Sequence, residues 1–226
     1  MRFPRLHAWP RDSKAAVALQ RELADRIQLI PAPRRPRIFA GCDAAFSRDE
    51  KHVIAGVVVF ECATTQVIEQ VVATAPIRFP YVPGLLSFRE LPALLKAFRK
   101  LRTTPDVVLA DAQGIAHPRR FGLAAHLGLW LGIPTVGCAK SRLWGESREP
   151  AASRGSATKL LHKGEQIGWT LRTRDRVNPL FVSPGNLVDM NDAKRLTLMA
   201  TTRYRLPEPT RLAHQLVTKA RNGAAR

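Results

Sequence analysis

Residues 38–46 read Ile38-Phe39-Ala40-Gly41-Cys42-Asp43-Ala44-Ala45-Phe46, an apolar or small run broken by one acid. Bounded by Pro36-Arg37 and Ser47-Arg48-Asp49, it predicts a buried strand. Forward of it, Val53–Cys62 and Val67–Ala73 are two more strand-like segments joined by short polar turns, so the run opens an antiparallel meander of three strands. Pro80-Tyr81-Val82-Pro83-Gly84 holds too many ring-constrained residues for a helix or a central strand. Ser87–Leu101 then reads as a helix, Val107–Ala110 as a short buried strand, Arg119–Leu131 as a helix and Pro134–Ala139 as another buried strand. Strand, helix and strand with such short links imply parallel pairing through right-handed crossovers. Gly164 to Met190 reads as further strands, followed by a helix near Asp192–Thr201. A last helix starts near Thr210 and decays into a basic tail, residues 216–226. Backward of the opening run, residues 13–30 show helical spacing with Ser13 as N-cap, and Pro31, Pro33 and Pro36 end that helix in a basic connector.

Three meander strands followed by alternating helix and strand make an α/β fold. It is a mixed sheet flanked by helices, the ribonuclease H-like architecture, in a single domain over residues 1–226. The composition agrees, at 45% hydrophobic and 24% charged, with a mean hydropathy of −0.15. No window holds the roughly 18 consecutive apolar residues of a membrane span. The N-terminus, Met1-Arg2-Phe3-Pro4-Arg5, has no apolar signal-peptide core. Cys42, Cys62 and Cys138 sit in apolar strand-like sequence and are odd in number, which fits buried free thiols in a reducing cytoplasm. Lys and Arg total 36 against 18 Asp and Glu, a formal charge of +18. A surplus of that size favours polyanions, nucleic acid above all. The arginines are spread along the chain, unlike the single charged helix of a membrane-surface protein.

An unpaired carboxylate inside a run such as 38–46 costs several kcal/mol, on the order given for buried charges. Asp43 therefore faces a partner, a metal or a solvent cleft. Asp111 has the same signature, directly after Val107-Val108-Leu109-Ala110 and at the carboxyl end of a parallel strand, where open α/β sheets place ligand chemistry. Taken singly, each is equally a strand-end acid capping a loop or pairing with an arginine. Glu90 also has two readings. Ser87-Phe88-Arg89-Glu90 matches a capping box, and Glu90 also sits in the first turn of a helix entering the cleft. Carboxylates from separate strands and a helix form a hard-oxygen site suited to Mg²⁺ or Mn²⁺, whereas the cysteines and histidines lack zinc spacing. In a basic protein such a site points to phosphodiester hydrolysis. Lys140 ends the run Thr135–Ala139, where it can steady transition-state charge or is an ordinary surface lysine. His117, ahead of Pro118-Arg119-Arg120, suits a proton donor or a phosphate contact. His214 is one turn into the last helix and within reach of the site. His126, in Ala124-Ala125-His126-Leu127-Gly128, reads as a packed helix residue.

Together these segments resemble endonuclease V, the deoxyinosine-directed nuclease family, over roughly residues 38–214. The likeness rests on Pro80-Tyr81-Val82-Pro83-Gly84-Leu85-Leu86-Ser87-Phe88-Arg89-Glu90 and on Asp111 through His117-Pro118-Arg119-Arg120-Phe121-Gly122. Gly137-Cys138-Ala139-Lys140-Ser141-Arg142-Leu143 and Leu206-Pro207-Glu208-Pro209-Thr210-Arg211 carry it further. The resemblance implies a ribonuclease H-like fold with Asp43 and Asp111 as metal ligands and Glu90 as a third, directly or through water. Lys140, His117 and His214 carry over as catalytic auxiliaries, and Mg²⁺, with Mn²⁺ substituting, as the cofactor. Pro80-Tyr81-Val82-Pro83 carries over as a wedge between bases, and main-chain groups near Gly84, Leu85 and Leu143 as the pocket for the flipped hypoxanthine. The implied reaction hydrolyses the second phosphodiester bond 3′ to the lesion, leaving a 3′-hydroxyl and a 5′-phosphate. Implied partners are double- or single-stranded DNA containing deoxyinosine, and inosine RNA, with the protein a monomer. Two places depart from the family pattern. Ala112-Gln113 stands where glycine, then histidine or a small polar residue, is usual, and Asn186 stands where histidine is common. Two competing readings remain: an RNA-directed enzyme with the same chemistry, and a non-catalytic nucleic-acid-binding protein whose acids are structural.

Overall fold

A computed structural model of the chain describes residues 1–223. Strands β1 (Ile38–Phe46), β2 (His52–Glu61) and β3 (Gln66–Pro76) form the expected antiparallel meander. Strand β4 (Val107–Ala110) lies parallel to β1, and β5 (Thr135–Ala139) parallel to β4. Beyond β5 the sheet continues through β6 (Ala157–His162), β7 (Glu165–Leu171) and β8 (Leu180–Asn186), all antiparallel. The strand order is β3-β2-β1-β4-β5-β8-β7-β6, a ribonuclease H-like sheet extended on one side by a meander.

Both faces of the central strands are covered, which is why their sequences are continuously apolar. Alternation sorts the side chains. Ala40, Cys42, Val108 and Ala110 join one core with Leu94, Phe98, Leu127 and Trp130, from helices α2 (Leu86–Lys100) and α3 (Leu123–Leu131). Phe39, Val107, Leu109, Val136 and Cys138 point the other way, into a core with Leu196 of α4 (Met190–Met199). On that second face α5 (Glu208–Gly223) lies across β1 and β2. No helix among the described residues is long and apolar enough to cross a membrane.

Several element boundaries differ from expectation. Helix α1 (Ser13–Ala24) takes Asp12 as its N-cap, whose carboxylate accepts from Ala15 N at 2.8 Å, so Ser13 is already helical. The helix stops at Ala24 instead of Ile30. Leu29 and Ile30 stay exposed, and the Gln28 backbone is captured on both sides, its N–H by Asn186 Oδ1 and its carbonyl by Leu187 N. The capping box at Ser87 does not form. Leu85 is the N-cap of α2 and makes no side-chain bond, while Ser87 is buried with its hydroxyl 3.1 Å from His126 Nδ1. Helix α3 starts at Leu123 instead of Arg119, because Arg120 adopts a left-handed conformation (φ 54°). The basic end of the chain is helical through Gly223, and residues 224–226 lie outside the described residues.

Candidate active site

The register between β1 and β4 pairs Cys42 with Ala110, so the next residue of each, Asp43 within β1 and Asp111 just past β4, emerges where the parallel pairing of the two strands ends. Asp43 shares its face with Gly41, where α5 crosses. A Cβ on Gly41 would stand 2.0 Å from the carbonyl carbon of Pro209. Only glycine admits that approach, and it brings the helix close enough for His214 Nδ1 to reach Asp43 Oδ2 at 2.7 Å. Lys140, one residue past β5, pairs through Nζ with Asp111 Oδ2. Arg205 Nη2 braces that strand end, donating to the carbonyls of Lys140 and Pro179, each at 2.8 Å. Asp43, Asp111 and His214 each offer a ligand atom within 4.8 Å of the others.

Electrostatics follow from this crowding. Burial raises the Asp43 carboxyl, the His214 hydrogen bond opposes that shift, and the Asp111 charge adds to it. Glu90, in the second turn of α2, lies outside the group of three but within its field. Burial first, then the Asp43 charge, pushes it up to about 8. The donor set passes a test for a divalent ion. It is hard oxygen with one imidazole, carries mutually repelling carboxylates that a cation would relieve, and sits at a strand-end cleft. The three cysteines are free and take no part.

The stretch 80–84 forms the neighbouring wall. Phe79 is buried with Ala16, Leu85 and Phe88, whereas Tyr81 is 68% exposed at the tip. Behind the tip lies a cavity of about 460 Å³ lined by Tyr81, Gly84, Asp111, Gln113, Lys140 and Leu143 among others. Pro83 and Val82 also line it, but Leu85 turns into the core and Leu86 takes its place. Gly84 is left-handed (φ 78°), and its carbonyl accepts three hydrogen bonds. They come from Gln20 Nε2 at 3.0 Å, His117 Nε2 at 3.0 Å and Arg119 Nη2 at 2.8 Å. Because Arg119 N–H donates to His117 Nδ1, the ring carries its proton on Nε2. Burial, then the Arg119 charge, lowers the His117 pKa to about 4. His117 is therefore neutral near pH 7 and anchors the loop.

Gln20 and Arg119 escaped sequence reading. The available signal was Gln20's polarity between Ala16 and Leu23, on the buried side of α1. Gln113 ties two walls of the cavity, donating from Nε2 to Ser141 O at 2.9 Å, while its buried Oε1 has no partner. Ala112 lines the same cavity. Asn186, the second departure from the family pattern, is buried and structural, holding Gln28 N at 3.0 Å. His126 is fully buried, as expected. Its Nε2 lies 2.7 Å from His7 Nε2, in an N-terminal segment the sequence left unassigned.

The family model for endonuclease V matches residues 21–215. Endonuclease V of Nocardia farcinica is 48% identical over 218 residues, covering 95% of each chain. The crystal structure of endonuclease V from Streptomyces avermitilis superposes with a TM-score of 0.92 at 42% identity, covering 97% of both chains. Endonuclease V of Ciona intestinalis, crystallised with a 24mer DNA containing an inosine followed by a ribo-adenosine, shares the fold. Its TM-score is 0.81 at 22% identity, covering 94% of this chain and all of that one. With a family model matched over residues 21–215 and relatives matched along nearly the whole length, the chain belongs to the endonuclease V family.

Proposed function

We propose that this protein is a Mg²⁺-dependent endonuclease that recognises deoxyinosine and hydrolyses the second phosphodiester bond on its 3′ side, leaving a 3′-hydroxyl and a 5′-phosphate. The observation that carries this reading is a shared wall. Asp111 and Lys140 belong both to the carboxylate cluster and to the base-sized cavity behind Tyr81. A base held in the cavity thus brings its own strand to the acids. The cavity's volume also lies in the range of small-ligand pockets, roughly 300–1,000 Å³.

Asp43 and Asp111 hold the divalent ion, with Glu90 completing the set directly or through water. When bound, that ion supplies an activated water and neutralises charge on the phosphate. Lys140 stands beside Asp111 to steady negative charge that develops on the phosphate. His214 orients Asp43 through its 2.7 Å contact. Tyr81, exposed on a proline-stiffened turn, fills the gap left in the stack when the lesion rotates out. His117, Arg119 and Gln20 act on that turn through Gly84. Hypoxanthine presents an O6 acceptor and an N1–H donor where adenine presents the reverse, so a pocket of fixed main-chain donors rejects adenine. Each mismatched buried group costs about 1–3 kcal/mol. The inosine-containing DNA bound by the Ciona relative agrees with this substrate.

The test pairs labelled oligonucleotides that differ in a single adenine-to-inosine change, as DNA and RNA, single- and double-stranded, with Mg²⁺ or EDTA. Nicking confined to the inosine strand and abolished by EDTA is expected. Equal cutting of the adenine controls, or cutting that persists in EDTA, would sink the reading. The RNA arms decide which sugar the site prefers.

A further inference from the structure

Leu143 closes one wall of the lesion cavity and opens a second, larger groove of about 1230 Å³ between residues 143–148 and the β6–β7 hairpin. Trp144, 37% exposed, forms its aromatic edge, with Leu161 beside it. The Trp144 ring is braced from behind, its centroid 5.2 Å from that of His162. His162 Nδ1 accepts from Arg120 Nη2 at 3.1 Å. Arg120 in turn pairs with Glu165 at 2.6 Å and donates from Nη1 to the carbonyl of His117 at 3.2 Å. The platform is thus tied to the loop that anchors Gly84. Two backbone bonds between Glu146 and Leu161, at 2.7 and 2.8 Å, fasten the 143–148 segment to β6. Arg148, Lys159 and Lys163 line the groove against one acid, Glu146. None of these three cations makes an ion pair among the described residues.

We propose that this groove is a second nucleic-acid subsite, in which Trp144 stacks a base of the lesion strand beyond the flipped nucleotide and Arg148, Lys159 and Lys163 contact its phosphates. The inference rests on the lesion cavity being as described above, since Leu143 lines both spaces and makes them neighbours. An exposed aromatic ring held rigid and flanked by unpaired cations is the combination that binds single strands without reading sequence.

The test measures affinity in Ca²⁺ for single-stranded inosine DNA of two lengths. One strand spans both spaces, about 16 nucleotides, and the other is trimmed to the lesion and one neighbour on each side. Trp144→Ala is expected to weaken the long strand about 5- to 150-fold, the range of one lost base–aromatic stack, and to leave the trimmed strand unchanged. Trp144→Phe should recover most of the loss, which separates stacking from misfolding. Lys159→Ala with Lys163→Ala should flatten the salt dependence by about 1.4 in log–log slope, about 0.7 per phosphate. Equal losses on both lengths, or none on the long strand, would overturn the proposal. If the wild type binds inosine and adenine strands alike, the lesion reading fails. The groove then stands only if Trp144→Ala still weakens the long adenine strand.

Discussion

Gly41 and His117 show how residues remote from the chemistry set its geometry. Gly41 carries no side chain, yet its missing Cβ decides where α5 lies and so whether His214 meets Asp43. Gly41→Ala forces the Pro209 backbone away. The expected result is a loss of about 1–3 kcal/mol of stability from overpacking and a fall in the cleavage rate of the folded fraction. Wild-type melting and turnover in that variant would show that α5 is not held there. His117 acts through charge. Its folded pKa of about 4 lies below the ordinary 6.5, so the neutral ring is the folded form. The stability it contributes is full above pH 6.5 and is lost as pH falls through about 4. The difference amounts to roughly 3 kcal/mol at most. Half-buried His7 and fully buried His126 are lowered in the same direction, chiefly by burial. Denaturant titrations from pH 7.5 to 4.5 should show acid destabilisation in the wild type and a shallower decline in His117→Gln, which keeps a donor for Gly84. An identical slope would mean that His117 does not titrate as placed.

At the scale of elements, the wedge loop and the helix ends tell different stories. Phe79 and Leu85 are buried on either side of Tyr81, so the turn is anchored at both ends and presents one exposed ring. Tyr81→Ala is therefore expected to reduce cleavage of duplex inosine DNA much more than of single-stranded inosine DNA, where little stacking must be replaced. Its preference for inosine over adenine should hold. Equal losses on both substrates refute the wedge, and a collapse of base preference places Tyr81 inside the pocket. Strands β1 and β4 were legible to the residue, because a nearly continuous apolar run reports burial on both faces. Asp43 and Asp111 stood out as acids within or directly after such runs, and the sheet places them side by side. Strand β6, Ala-Thr-Lys-Leu-Leu-His at the sheet edge, has too weak an alternation to stand out. Helix starts were misread wherever a polar residue served another element. Ser87 resembled a cap but answers to His126 on α3, and Arg120 resembled helix but turns left-handed to reach His162 and Glu165. His214 was read as a weak auxiliary, since its meeting with Asp43 spans 171 residues of chain and no local pattern encodes it.

For the molecule as a whole, a charge of +18 surrounds a small acidic centre. On the proposed reading the cations draw in nucleic acid, and the acids on the two central strands β1 and β4 confine the chemistry to one place. Non-specific duplex affinity is expected to fall steeply with salt, with a log–log slope of about −0.9 per phosphate contact. The preference for inosine should persist, because on the proposed reading the base is told apart by main-chain groups. Affinity that stays flat from low to physiological salt would remove charge as the source of binding. The likeness to the Streptomyces structure over 97% of both chains concerns the fold; the catalytic unit is the proposed pair Asp43 and Asp111. The most direct test of that unit is single-turnover cleavage of a labelled duplex carrying one deoxyinosine, by the wild type, Asp43→Ala and Asp111→Ala in Mg²⁺. The wild type should yield one break at the second phosphodiester 3′ to the lesion, while both variants bind the duplex, melt cooperatively and leave it intact. Substantial Mg²⁺-dependent cleavage by either variant would contradict the assignment of these carboxylates as the catalytic centre.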